Sequence, residues 1–128
     1  MDTRLLFKTS AIVEILTGLA FLAAPALIVG LLLGDGIDPV GIAVARVLGV
    51  GLLSVGVAAW ESREQDIRIA PRAGLCTYNV GVAALLAMLG TTGGMDGLFL
   101  WPVAVLHGLI GLAMLWTISA YVRYTNSD

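Results

Sequence analysis

The sequence has little charge, one cysteine and one histidine in 128 residues. Charged residues make up 12% of the chain, and its Lys and Arg residues are too scattered to follow a nucleic-acid backbone. The single cysteine, Cys76, excludes an internal disulfide or a dithiol relay. One histidine, one cysteine and one buried carboxylate do not make the three or four clustered ligands of a metal site, so we expect no metal and no bound cofactor.

What the chain has in abundance is apolar surface. Hydrophobic residues make up 59% of the sequence, and the mean hydropathy is +0.96. A soluble domain of this length would still expose roughly a third of its unfolded surface to solvent. The composition therefore predicts an integral membrane protein with an all-α fold and one domain.

Proline, glycine and charge clusters divide the chain into four apolar segments, each close to the 20 or so residues that cross a bilayer. We expect a four-helix bundle with spans at about residues 5–24, 39–60, 72–90 and 98–121. Pro25 ends the first span, and the short apolar stretch 26–33 is a half-helix, either at the outer interface or packed back on the bundle. Asp38 and Pro39 form a helix start, and segment 61–72, with charges of alternating sign, is a solvated loop.

Basic residues indicate the orientation of the bundle, because Lys and Arg in short loops stay in the cytoplasm. Six of the seven fall on one side: Arg4, Lys8, Arg63, Arg68, Arg72 and Arg123. The opposite loops carry Asp35, Asp38 and Asp96. Both termini are therefore expected in the cytoplasm, and the location is a bacterial-type inner membrane. Glu14, inside the first apolar run, argues against a cleaved signal peptide, so this segment is expected to remain as a helix.

Each predicted span carries one polar residue near the bilayer centre: Glu14, Arg46, Asn79 and His107. At 1.5 Å per residue, all four lie within about a helical turn of the middle. Such residues are costly unless they face the interior and have partners. We expect a buried ion pair between Glu14 and Arg46, with Asn79 and His107 satisfying the remaining donors and acceptors. Tyr78 either adds its hydroxyl to this layer or lies at a helix seam.

Two interpretations of this polar layer stay open. A structural one, in which the layer fixes helix order and register, is favoured over a ligand, proton or ion site. For His107, a hydrogen-bonded interior histidine is favoured, and haem would require one His107 from each of two subunits. The small residues Gly41, Ala45 and Gly49 form a ridge that suits an intramolecular groove better than a dimer face.

The context Val13-Glu14-Ile15, with Thr17 and Gly18 one turn later, resembles the small multidrug resistance transporters over about ten residues. That resemblance implies that Glu14 binds protons or cationic drugs. Arg46 departs from the pattern, because a buried cation beside Glu14 would compete with a cationic substrate. The aromatic signature that the family carries on its third helix is also missing.

The overall plan is similar to the small four-helix bacterial proteins grouped as DoxX-like. The matching features lie in the first half of the chain: Glu14 with Gly18 and Pro25, and Arg46 with Gly49. The resemblance implies a four-helix membrane bundle and little about activity, although some relatives are linked to quinone or redox processes.

Three functional hypotheses follow. The first is a non-catalytic accessory or scaffold subunit, or a self-associating bundle, whose partners are the lipid bilayer and either itself or a larger membrane complex. The second is a small-molecule or proton-linked transporter that uses the polar layer as its site. The third, and least favoured, is a redox or lipid-modifying enzyme using His107 and Tyr78; no catalytic residue is identified. A transporter predicts a cavity that reaches Glu14, whereas a scaffold predicts a filled centre.

Overall fold

The computed structural model describes residues 3–62 and 69–125, and all of its regular structure there is helical. There are five helices in this part of the chain: α1 (Thr3–Ala23), α2 (Pro25–Leu33), α3 (Pro39–Ser62), α4 (Ile69–Thr92) and α5 (Leu100–Thr125). Four of them contain stretches long and apolar enough to cross a membrane: Arg4–Ala23, Pro39–Trp60, Ala73–Thr92 and Leu100–Ala120. The expected helical bundle with four long apolar helices is thus confirmed.

The predicted breaks between helices coincide with local capping interactions. Pro25 occupies the first turn of α2, where its missing N–H costs nothing. Gly34 caps the C-terminus of α2: its φ of +86° favours glycine, and its N–H donates to Gly30 O at 2.9 Å. At the start of α3, Asp38 Oδ1 accepts a 2.7 Å hydrogen bond from the Gly41 N–H, as expected of a helix N-cap.

Some predicted boundaries need correction. Helix α4 begins at Ile69 and continues to Thr92, so it includes part of the segment that the alternating charges assigned to a solvated loop. Pro71 lies in its first turn, where proline is tolerated. Helix α5 extends to Thr125, beyond the expected end near residue 121. Helix α3 likewise includes the first two residues of segment 61–72. The remainder, 63–68, with Arg63 and Arg68, lies outside the described residues.

The long helices form two closely packed pairs, α1 with α3 and α4 with α5. In the first pair, Gly18 and Gly49 bring the backbones together, since a Cβ on Gly18 would lie 2.8 Å from Gly49 O. In the second pair, a Cβ on Gly111 would lie 2.8 Å from a methyl carbon of Val80. Glycine is required at such close crossings, and the Ala45 and Gly49 part of the predicted ridge therefore lies in an intramolecular groove.

Buried side chains from all four long helices join the two pairs at one end of the bundle. This cluster contains Phe7, Ala11, Ala59, Leu75, Cys76, Ile110 and Met114. A second buried group, formed by Phe21, Ala45 and Leu52, is covered by residues of α2. On α1 the buried Glu14 lies between Ala11 of the first cluster and Phe21 of the second. Glu14 thus lies between the two apolar clusters of the core.

Helix α2 packs back on the bundle. The Phe99 N–H, in the connection before α5, donates to Leu31 O of α2 at 2.9 Å. Gly97 lies so close to the backbone of Leu32 that a side chain there would collide with it. Of the two positions considered for this half-helix, the structure thus shows the packed one.

Candidate functional site

The carboxylate of Glu14 is buried and has one described hydrogen-bond donor. Glu14 lies on the face of α1 that it shares with Ser10, Ala11 and Gly18, and only 1% of its surface is exposed. Tyr78 Oη, on α4, donates to Glu14 Oε2 at 2.8 Å. This contact crosses from the α1 and α3 pair to the α4 and α5 pair. Of the two alternatives for Tyr78, the structure shows the one in which its hydroxyl joins the polar layer.

Asn79 and His107 form the second half of the layer. Asn79 Nδ2 donates to the Leu75 carbonyl one turn earlier at 2.8 Å, which leaves Oδ1 as the acceptor toward α5. His107 Nδ1 lies 2.8 Å from Asn79 Oδ1. Since Oδ1 has no proton to give, Nδ1 carries the hydrogen of this bond. A neutral His107 ring therefore has its lone pair on Nε2.

The two hydrogen-bonded pairs contact each other through their rings. The Tyr78 and His107 rings meet edge to face, with centroids 5.6 Å apart and an angle of 79° between their planes. This arrangement is favourable for aromatic rings. The structure thus brings together four of the five predicted site residues, Glu14, Tyr78, Asn79 and His107. From here on, the term polar layer refers to these four residues, without Arg46.

The predicted buried ion pair between Glu14 and Arg46 is wrong. Arg46 is exposed on the outward side of α3, while its neighbour Ala45 is buried against α1. Successive residues on a helix are about 100° apart, so Arg46 points roughly 90° away from the centre of the buried stripe of Ala45, Gly49 and Leu52. Tyr78, and not Arg46, is thus the side chain that contacts the Glu14 carboxylate.

Ser10 is a polar member of the interior that the sequence indicated only as a neighbour of Glu14. Its surface is fully buried, and none of the described residues forms a hydrogen bond with Oγ. The signal was its position four residues before Glu14, which places it on the same face of α1. A buried hydroxyl without a hydrogen-bond partner is unusual and lowers the stability of the fold.

Cys76 belongs to the packing of the bundle. The thiol is buried and donates a long contact of 3.7 Å to the Gly111 carbonyl on α5. Within residues 3–62 and 69–125, no three His, Cys, Asp or Glu side chains are grouped as metal ligands would be.

A pocket of about 310 Å³ lies between α1, α2 and α5. Most of its lining is apolar, with Leu16, Phe21, Leu31 and Phe99 among the residues that form its walls. Two polar residues line it, Thr17 from α1 and His107 from α5. Glu14 is not part of the lining, so the pocket reaches the polar layer at His107 and not at Glu14.

Sequence and structure comparisons leave the predicted relationships open. The resemblances to DoxX-like proteins and to small multidrug resistance transporters stay predictions, since no protein-family model, curated protein or solved structure matches this chain.

Proposed function

We propose that the chain is a bacterial inner-membrane protein that crosses the bilayer four times, with both termini in the cytoplasm. The four long apolar helices support the insertion. The basic residues near the ends of α1, α4 and α5 support the orientation, because the loops at the other end carry acidic residues and no Lys or Arg. A periplasmic reporter fused after Asp128 should be inactive, and an active fusion would contradict this orientation.

Within the membrane, its function is that of a non-catalytic accessory or scaffold subunit, or of a bundle that associates with itself. The observation that carries this proposal is the exposure of Arg46 in an apolar span. A charged side chain at the centre of a membrane helix costs about 2.5–3.5 kcal/mol on insertion scales. None of the described residues contacts the guanidinium through an ion pair or hydrogen bond. A polar partner on a neighbouring subunit would lower that cost.

The outward surface of α3, with Arg46 toward one side and Gly51 about 140° further round the helix, suits close helix packing. It is formed by outward residues of α3, and we call it the α3 outer face: Ala43, Arg46, Val50, Gly51 and Ser54. A Cβ on Gly51 would meet nothing within 4 Å, so this glycine is not needed for packing inside the subunit. Small residues let a second membrane helix approach closely, and the guanidinium supplies donors to it.

The polar layer supports the structural role of the bundle. The Glu14 carboxylate accepts a hydrogen bond from Tyr78 on α4. The Asn79 side chain forms hydrogen bonds with both the Leu75 carbonyl and the His107 ring. Buried polar groups that are satisfied in this way fix which helix faces meet. The transport hypothesis has less support, because Glu14 is 1% exposed and does not line the pocket beside it.

Cysteine cross-linking in native membranes tests association through α3. In a Cys76→Ala background, Gly51→Cys places a thiol on the α3 outer face, and Leu109→Cys places a matched thiol on the outward surface of α5. Both positions lie near the middle of their helices. We expect oxidation to cross-link the Gly51→Cys protein as a disulfide dimer if it self-associates, or as a larger adduct if it serves another subunit that has a cysteine at the contact.

The control variant decides the interpretation. Leu109→Cys should stay monomeric under the same oxidation. If neither variant is cross-linked, or if both are to the same extent, the α3 outer face is not an interface between copies of this protein. Arg46 would then extend toward the lipid headgroups, which lie roughly 10 Å away along α3 if Pro39 marks the outer end.

A further inference from the structure

The pocket between α1, α2 and α5 combines apolar walls with two polar residues, Thr17 and His107. His107 is 5% exposed and lines the pocket. Its Nδ1 is occupied by Asn79 Oδ1 at 2.8 Å, so the remaining polar atom of the ring is Nε2. None of the described residues forms a hydrogen bond with Nε2. In the neutral ring this atom accepts a hydrogen bond and cannot donate one.

The neighbouring residues fix the imidazole in place. Asn79 is itself held by the Leu75 carbonyl, and the Tyr78 ring packs against the imidazole edge to face. The ring orientation and the position of the proton are therefore determined before any ligand arrives. Binding then requires little reorganisation of the protein, which favours affinity.

The lining also limits what the pocket can hold. Its volume of about 310 Å³ lies at the lower end of the range for small-molecule sites. Apart from His107 and Thr17 its lining residues are apolar, and none is charged. A carboxylate or phosphate would find no cation there, and a cationic ligand would find no carboxylate. An apolar molecule with one hydroxyl group matches both the walls and the acceptor.

The pocket opens on the apolar outer surface between α1 and α5. Leu16 and Leu106, which line it, are 62% and 38% exposed. The helices α1 and α5 pack less closely with each other than α1 does with α3, so the opening lies between the two helix pairs. In a membrane this surface faces the acyl chains, and a ligand would enter sideways from the bilayer.

We propose that this pocket binds a bilayer-soluble apolar molecule that carries a hydroxyl group, with the hydroxyl donating to His107 Nε2. The proposal is independent of association through α3, since the two involve different surfaces. It assigns His107 a binding role in addition to its place in the polar layer.

Decanol and decyl methyl ether are matched probes, because they share the alkyl chain and only the alcohol has a hydroxyl donor. His107 is the only histidine, so ¹⁵N-histidine labelling gives one pair of ring-nitrogen signals. We expect decanol to move the signal of the unprotonated Nε2 upfield and to raise the melting temperature of the protein in detergent micelles. The ether should leave Nε2 unchanged. Equal responses to both probes would show mere partitioning and overturn the proposal.

Filling the pocket tests where the alcohol binds. Ala20 lines the pocket, whereas Ala23, one turn later on α1, is exposed and does not. Ala20→Phe should abolish the response of Nε2 to decanol, and Ala23→Phe should keep it. An unchanged Nδ1 signal in Ala20→Phe would show that the contact between His107 and Asn79 is intact. A decanol response that survives in Ala20→Phe would place the ligand elsewhere and overturn the assignment.

Discussion

The Tyr78 hydroxyl on α4 donates a 2.8 Å hydrogen bond to Glu14 Oε2 on α1. These helices belong to different close pairs, so the bond links one pair to the other. A buried acceptor that loses its donor is left with its full desolvation cost. The stability of the bundle should therefore depend on Tyr78, which is the partner of Glu14 that the sequence had predicted to be Arg46.

Tyr78→Phe should lower the free energy of unfolding by about 1–3 kcal/mol, the usual cost of leaving a buried polar group unsatisfied. Chemical or thermal unfolding in mild detergent measures this change. The double variant Tyr78→Phe with Glu14→Met should recover much of the loss, because both polar groups are then replaced by apolar ones. If the two single losses simply add, the proposed coupling between these residues is incorrect.

Arg46→Leu should change the free energy of unfolding of the detergent-solubilised monomer by less than about 0.5 kcal/mol, as is usual at exposed positions. Breaking a buried ion pair would cost about 3–5 kcal/mol instead. The matched comparison is the double variant with Glu14→Met, in which the effects of the two changes should add. A large loss of stability from Arg46→Leu, or a strong coupling to Glu14, would support the ion pair instead.

The contrast between Glu14 and Arg46 shows how far the sequence could lead. Long apolar segments and strong breaks such as Pro25 and Asp38 predict the helices, because lipid solvation and helix capping act locally. Glu14 is buried as predicted because one face of α1 carries both polar and small residues. These patterns involve a single helix, so periodicity alone reveals them.

Arg46 could not be placed in the same way. On α3, glycine, alanine and serine occur on more than one side, since Gly49 is buried whereas Gly51 and Ser54 are exposed. Small residues suit both an internal groove and an outer contact surface, so the pattern does not choose between them. The choice depends on which face fits α1, and this is a property of the tertiary structure. The pocket beside His107 likewise depends on how three helices meet.

Gly49→Ala should destabilise the α1 and α3 pair. Its new Cβ would lie 2.9 Å from Gly18 O and 3.2 Å from Leu22 N, so the backbones must move apart. Overpacking of this kind typically costs about 1–3 kcal/mol, which a lower melting temperature would report.

Gly51→Ala is the matched control for this change, two residues further along α3. Its Cβ would meet nothing within 4 Å, and the better helix propensity of alanine should make it neutral or stabilising by up to about 1 kcal/mol. Similar melting temperatures for Gly49→Ala and Gly51→Ala would mean that the close crossing at Gly49 is absent.

His107 should hold its proton on Nδ1. A ¹⁵N spectrum of the histidine-labelled protein at neutral pH should show one protonated and one unprotonated ring nitrogen, with Nδ1 protonated because Asn79 Oδ1 can only accept. Asn79→Leu removes this acceptor, so the preference for Nδ1 should be lost. Thr77→Val, at an exposed position nearby on α4, should leave the spectrum unchanged. A proton on Nε2 in the unaltered protein would contradict the arrangement.

Ser10→Ala should stabilise the protein by about 1 kcal/mol, since it removes a buried hydroxyl for which the described residues offer no hydrogen-bond partner. Alanine also suits a helix interior better than serine does. Ser54→Ala is the matched control, because Ser54 is exposed and its Oγ donates to Val50 O at 3.0 Å; the change there should stay within about 0.5 kcal/mol. Unfolding in mild detergent measures both. Destabilisation by Ser10→Ala would mean that the hydroxyl has a partner in solution, and a bound water between Ser10 and Glu14 would then be the first arrangement to examine.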